Sequence, residues 1–232
     1  MSIRAKLFIA MTVVSGGALL AGCLVGQPSV AQPDVYLTFS LLALLASALK
    51  VRLPGITGTI SVNFVFILIA IALFSFSETV FLAAAAGLVQ CVWKARRRPS
   101  AAQVSFNVAT LAISGGLTYR VARFLAGGSW ANLALLLVLG CCFYFTANTL
   151  MVSGVLSLVQ VKPMFHVWRQ CYLWSFPYYL VGAGIAGLVV VTDRSMGWAM
   201  SLLILPLMYL VYVFYKMCVE RMVQTSPSPE VV

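Results

Sequence analysis

Apolar residues run through the chain in blocks too long for strands and without the strict alternation of a barrel. Eight such blocks stand out: Leu7–Gly26, Val35–Leu53, Thr59–Phe76, Thr79–Trp93, Val104–Leu125, Ala131–Val159, Tyr172–Thr192 and Met196–Val219. A bilayer core of about 30 Å asks for about 20 helical apolar residues, or about 17 at the short end. Thr79–Trp93 is short by that measure and needs help from its flanks. Helix is the expected form, because each span must satisfy its own backbone hydrogen bonds in lipid. The pattern predicts an all-α, polytopic integral membrane bundle of about eight transmembrane helices. Residues 1–219 read as one membrane domain, and 220–232, with Thr225-Ser-Pro-Ser-Pro-Glu, as a short disordered cytoplasmic tail.

Composition sharpens this. The chain of 232 residues is 62% hydrophobic and 9% charged, far from the soluble norm of about half and about a quarter. Neither a soluble fold of this size nor a disordered chain has that balance.

Charge then assigns sides. The 15 Lys and Arg give a net +10, which elsewhere would suggest nucleic acid. With a cytoplasmic N-terminus, Arg4, Lys6, Lys50, Arg52, Lys94, Arg96, Arg97, Arg98, Lys162, Arg169, Lys216 and Arg221 fall inside. Only Arg120, Arg123 and Arg194 stay outside, near Asp34, Glu78 and Asp193. That asymmetry is what cytoplasmic membrane loops carry. Both termini are expected in the cytoplasm and the chain in a cell inner membrane, with the lipid bilayer as first partner and no nucleic acid. The Lys94–Arg98 run then follows from topology, with contact to anionic lipid. Two readings stay open at the start. Leu20-Ala21-Gly22-Cys23 suits either a first helix or a lipoprotein signal with an acylated Cys23, and the charge count favours the helix.

Chemistry-bearing residues are few. Cys23, Cys91, Cys141, Cys142, Cys171 and Cys218 form no CxxC pair and lie in or beside apolar runs, where thiols act as small hydrophobes. His166, the lone histidine, has no neighbouring carboxylate. The spans carry no mid-membrane Asp and no phosphate-binding Gly loop. The expectation is a protein that is not an enzyme and has no metal or cofactor.

What remains is polar punctuation. Pro54, Gly55 and Gly58 predict a tight helix-turn-helix corner, with Thr59 or Ser61 capping the third helix and Asn63 one turn inside it. Asn63, Asn107 and Asn148 each sit in a span, as interhelical glue or as the lining of one small cavity. The expected contacts to a ligand or partner are Pro54, Gly55, Gly58, Ser61, Asn63, Asn107 and Asn148. Lys50, Arg52, Ser61 and Asn63 recur as Lys94, Arg96, Ser105 and Asn107 at an offset of 44, suggesting a parallel repeat. Glu78 is placed to cap the fourth helix, Arg120 to reach headgroups and Pro177 to kink or start the seventh. Trp168, Tyr172, Trp174, Tyr178 and Tyr179 read as an interfacial belt; Gly182, Gly184 and Gly187 read as close-packing surfaces.

The run Lys50-Val-Arg-Leu-Pro-Gly-Ile-Thr-Gly-Thr-Ile-Ser-Val-Asn-Phe, with Val89-Gln-Cys-Val-Trp93, Gln103-Val-Ser-Phe-Asn-Val-Ala109 and Cys171-Tyr-Leu-Trp-Ser-Phe-Pro-Tyr-Tyr, resembles a bacterial membrane sensor region. It is similar to the amino-terminal multi-helix module of signalling proteins that end in HD-GYP or GGDEF domains. The similarity runs from about Ala5 to Val219. It implies a module that senses a cue and controls cyclic di-GMP turnover. No such output segment follows Val219, so the expected function is a stand-alone sensor acting through a separate cytoplasmic or membrane signalling enzyme. A substrate-binding transporter subunit is the alternative, and self-association stays open.

Overall fold

The computed structural model describes residues 2–26, 30, 32–52, 59–93, 95, 98–127 and 132–225. The order is α1 (Ile3–Val25), α2 (Pro33–Ser47), β1 (Lys50–Arg52), β2 (Thr59–Ser61), α3 (Asn63–Leu73), α4 (Phe76–Val92), α5 (Ala101–Leu125), α6 (Leu133–Gln160), α7 (Met164–Cys171), α8 (Phe176–Met196), α9 (Trp198–Ser201) and α10 (Leu205–Thr225). Short 3₁₀ turns precede α8 and α10. The fold is all-α apart from the two-stranded ribbon. Among the described residues, four helical runs are long and apolar enough to cross a membrane: Ile3–Val25, Leu133–Gln160, Phe176–Met196 and Trp198–Arg221. Helices α2, α3 and α4 are apolar but have only 15, 11 and 17 residues.

Several helix starts are set by local chemistry. Ser2 caps α1 by accepting the Ala5 N–H. Ser75 and Glu78 form a reciprocal capping box on α4, and Ser100 and Gln103 do the same on α5. Glu78 is therefore a cap through its own carboxylate, whose Oε2 accepts the Ser75 N–H at 2.7 Å. Pro177 falls in the first turn of α8, where its missing N–H costs nothing, so it starts that helix without kinking it. Gly197, at φ 89°, breaks α8 from α9.

The centre of the bundle is α3. Every residue from Asn63 to Ala72 is buried, and α2, α4, α5, α6 and α8 surround it. Glycines permit the closest approaches: a Cβ on Gly182 of α8 would lie 2.3 Å from Phe64, and one on Gly140 of α6 would lie 3.3 Å from Leu68. Gly187 meets Leu137, whereas Gly184 faces open space. A second core joins α1, α4 and α5 around Val80, Ala84, Ala112 and Cys23, so Cys23 is buried inside an unbroken α1.

The alternating helices give the bundle two ends. At one, Ser2 Oγ donates to the Leu158 carbonyl and Lys50 Nζ to that of Trp93. At the other, Tyr36 donates to the Glu78 carbonyl and Tyr119 to that of Phe74. Arg123 donates to the Ile71 and Ala72 carbonyls there at 3.0 and 3.1 Å.

Several expectations are corrected here. The corner after the second span is an antiparallel ribbon, pairing Lys50 with Ser61, Val51 with Ile60 and Arg52 with Thr59. Consequently α2 stops at Ser47, and neither Thr59 nor Ser61 caps α3, whose N-cap is Val62 with no side-chain bond. Asn63 is the first residue of α3 and not one turn inside. Tyr172, Tyr178 and Tyr179 are core residues, not a belt at the interface: Tyr179 stacks on Phe64 at 4.3 Å and meets Phe145 edge-on. Arg120, an exposed residue, also lies over the Phe76 ring at 4.3 Å. Helix α10 continues through Thr225, past the expected domain end at Val219. Among the described residues the 44-residue repeat breaks at Ser61, in a strand, and Ser105, in a helix; Lys94 and Arg96 lie outside the described residues.

Candidate functional site

The ribbon delivers its polar residues to the ends of α3 and α4. Ser61 closes β2, one residue precedes α3, and Asn63 opens that helix. Both are 3% exposed. Their shared partner is Gln90, in the last turn of α4: its Oε1 accepts from Ser61 Oγ at 3.1 Å and from Asn63 Nδ2 at 2.9 Å. An amide or hydroxyl in such surroundings costs about 1–3 kcal/mol if left unpaired, so the three side chains fix one another. The next residue, Cys91, accepts from Asn107 Nδ2 of α5 at 3.3 Å. Close approach of α4 to α5 makes this contact, and Gly87 allows it: a Cβ there would lie 3.2 Å from the Asn107 carbonyl.

Lys50, directly across the ribbon from Ser61, donates to the Trp93 carbonyl at the C-cap of α4. A cation there complements the helix dipole. The Lys50 carbonyl in turn accepts from Tyr212 of α10 at 3.4 Å. One hydrogen-bonded set thus runs from α5 through α4 and the ribbon to α10. It holds amides, the hydroxyls of Ser61 and Tyr212, a thiol and an ammonium, with no carboxylate or imidazole among these residues. Such a set can recognise polar groups. Among the described residues, no three His, Cys, Asp or Glu side chains come together as a metal site.

Three of the seven expected contact residues, Pro54, Gly55 and Gly58, lie outside the described residues. Ser61 and Asn63 meet on Gln90, and Asn107 joins through the adjoining Cys91. Asn148 belongs elsewhere. It sits on α6 beside Tyr179, its Oδ1 buried without a partner, while the next residue, Thr149, accepts from Trp168 Nε1 at 2.8 Å. The three asparagines do not line one cavity. Gln90 was the missed member, although it is the one amide side chain in the α4 sequence.

No family model, curated protein or solved structure matches this chain. The likeness to sensor modules rests on the sequence segments that carry it.

A small apolar crevice lies among other residues. Phe39 of α2, Val65 and Ile69 of α3, Ile185 and Val189 of α8 and Met208 of α10 line it, with Ser201 as a polar member. Its lining suits packing or a lipid tail, not a polar ligand.

Proposed function

We propose that this chain is a multi-pass inner-membrane sensor module that binds a cue or partner at its inner end and acts through a separate signalling protein. The supporting observation is the link from the polar set to α10: Lys50, bonded to α4 through its side chain, is bonded through its carbonyl to Tyr212. A change at Ser61, Asn63 or Gln90 therefore has a route to the last helix.

The same proposal includes eight crossings with both termini cytoplasmic. The short helices reach that count by combination. At 1.5 Å per residue α2 covers about 22 Å and α3 about 16 Å, short of about 30 Å of hydrocarbon. Each is extended by a strand of three residues, about 10 Å. Non-helical backbone at that depth is tolerated because protein surrounds it.

Affinity purification from native membranes in mild detergent, with mass spectrometry of co-purifying proteins, tests the sensor reading. Recovery of a cyclic-dinucleotide enzyme or a histidine kinase, weakened by Asn63→Ala or Gln90→Ala at equal protein level, is the expected result. Equal loss of protein and partner would reduce these residues to scaffolding.

A transporter's substrate-binding subunit is the second reading. It draws on α3, a buried helix of 11 residues entered through non-helical backbone, an arrangement that transporters use around substrate sites. Co-purification of an ATPase pair and a bound metabolite would favour it.

A further inference from the structure

The turn between α6 and α7 is tightly built and yet presents apolar side chains outward. The Ser157 carbonyl accepts the N–H groups of both Val161 and Lys162, and the Ser157 hydroxyl donates to the Lys162 carbonyl at 2.6 Å. Val161 is held at φ 56° and ψ 42°, a left-handed position where glycine or asparagine is usual, with 88% of its surface exposed. Phe165, on the outward face of α7, is 68% exposed. The inward face is anchored by buried Val167 and by the Trp168–Thr149 bond.

Cations frame this apolar knuckle. Lys162 and Arg169 are both exposed. The Ser2–Leu158 bond brings the start of α1, with Arg4 and Lys6, to the same turn. Neither segment contains an Asp or Glu. Depth fits too: the 28 residues of α6 extend about 42 Å, so its end reaches the headgroup layer of a core about 30 Å thick.

We propose that the α6–α7 turn and the start of α1 form a binding surface for an anionic phospholipid. Val161 and Phe165 enter the acyl boundary, and the four cations hold the headgroup phosphate. This needs membrane embedding but not the sensor reading.

The test uses the full chain in neutral detergent, titrated with short-chain phosphatidylglycerol or phosphatidylcholine, with bound lipid counted by native mass spectrometry. Phosphatidylglycerol should bind at least tenfold tighter. K162Q/R169Q should weaken it by about 25-fold, about fivefold per charge, and weaken phosphatidylcholine, whose choline offsets the phosphate charge, far less. V161G should raise the thermal midpoint while weakening both lipids, which a purely structural turn would not do. R4Q/K6Q replaces the first pair if that variant fails to fold, with the same expectation. Equal binding of the two lipids, or no effect of charge removal, overturns the proposal. So does full competition by an equal concentration of inorganic phosphate, which would mark a site for soluble phosphate. No signalling partner is present in this assay, so its outcome is separate from that of the sensor proposal.

Discussion

At the scale of single residues, small differences of geometry have opposite signs at neighbouring positions. Gly16 and Gly17 are adjacent in α1, but a Cβ on Gly16 would fall 2.5 Å from the Ala109 Cβ and 2.7 Å from its Cα, while one on Gly17 meets nothing within 4 Å. Gly16→Ala must push α1 off the α5 backbone and should cost about 1–3 kcal/mol. Gly17→Ala should be neutral or gain up to about 1 kcal/mol of helix propensity. Thermal unfolding of the two variants side by side in one detergent checks the pair. Val161 carries the reverse opportunity. A β-branched residue in the left-handed region costs about 1–2 kcal/mol, so Val161→Gly should stabilise the chain by up to about that amount. Sequence reveals such positions unevenly. Pro177 left two places open, a kink or a helix start, and its ring fits the second without loss, whereas Gly16 and Gly17 look alike until the neighbouring helix is known.

At the scale of elements, α3 concentrates the questions. Its last carbonyls end inside protein, and α5 and α4 satisfy them: Arg123 bonds to Ile71 and Ala72, and Thr79 Oγ1 donates to Ala70 at 3.1 Å. Arg123→Met would remove two charge-assisted bonds and leave buried acceptors behind, a loss of about 2 kcal/mol or more. Arg123→Lys should recover little, since a single ammonium cannot reproduce the two-pronged contact. Unfolding midpoints of both variants measure this. At the other end of α3, Gln90→Leu keeps the volume but strands Ser61 Oγ and Asn63 Nδ2. It should destabilise the protein by about 1–3 kcal/mol, and the same midpoint measurement reads it. The ribbon before α3 was written in the sequence. Lys-Val-Arg and Thr-Ile-Ser each alternate polar and apolar residues, with Pro54, Gly55 and Gly58 between them, the ordinary mark of a hairpin. Continuous hydropathy on both sides drew the expected helices across it. Gln90 was hidden for a related reason: one amide at the end of an apolar run resembles a snorkelling end residue until Ser61 and Asn63 arrive beside it.

At the scale of the molecule, hydropathy locates the helices but does not say which face turns inward. Along α2, Leu37, Leu41 and Leu45 are exposed while Phe39, Ala43 and Ala46 are buried, and nothing in their polarity separates the two sets. Lipid tails are as apolar as leucine, so side-chain size and fit decide. The same limit applies to counting spans, because among the described residues four helices combine the length and apolarity of a crossing. Helix α3 packs against Gly140 and Gly182, in the first third of α6 and of α8, and α5 packs against Gly16, midway along α1. Four and eight spans put the termini on the same side, so terminal reporters cannot separate them. Internal ones can. With eight crossings, a reporter fused after Trp93 is cytoplasmic and one fused after Gly127 is external. With only the four long runs crossing, both positions lie outside. Alkaline phosphatase and fluorescent-protein fusions at these two sites should therefore give opposite signals. Phosphatase activity at both would leave α2 to α5 without a crossing, and the inner polar set would then face the outside instead of the cytoplasm.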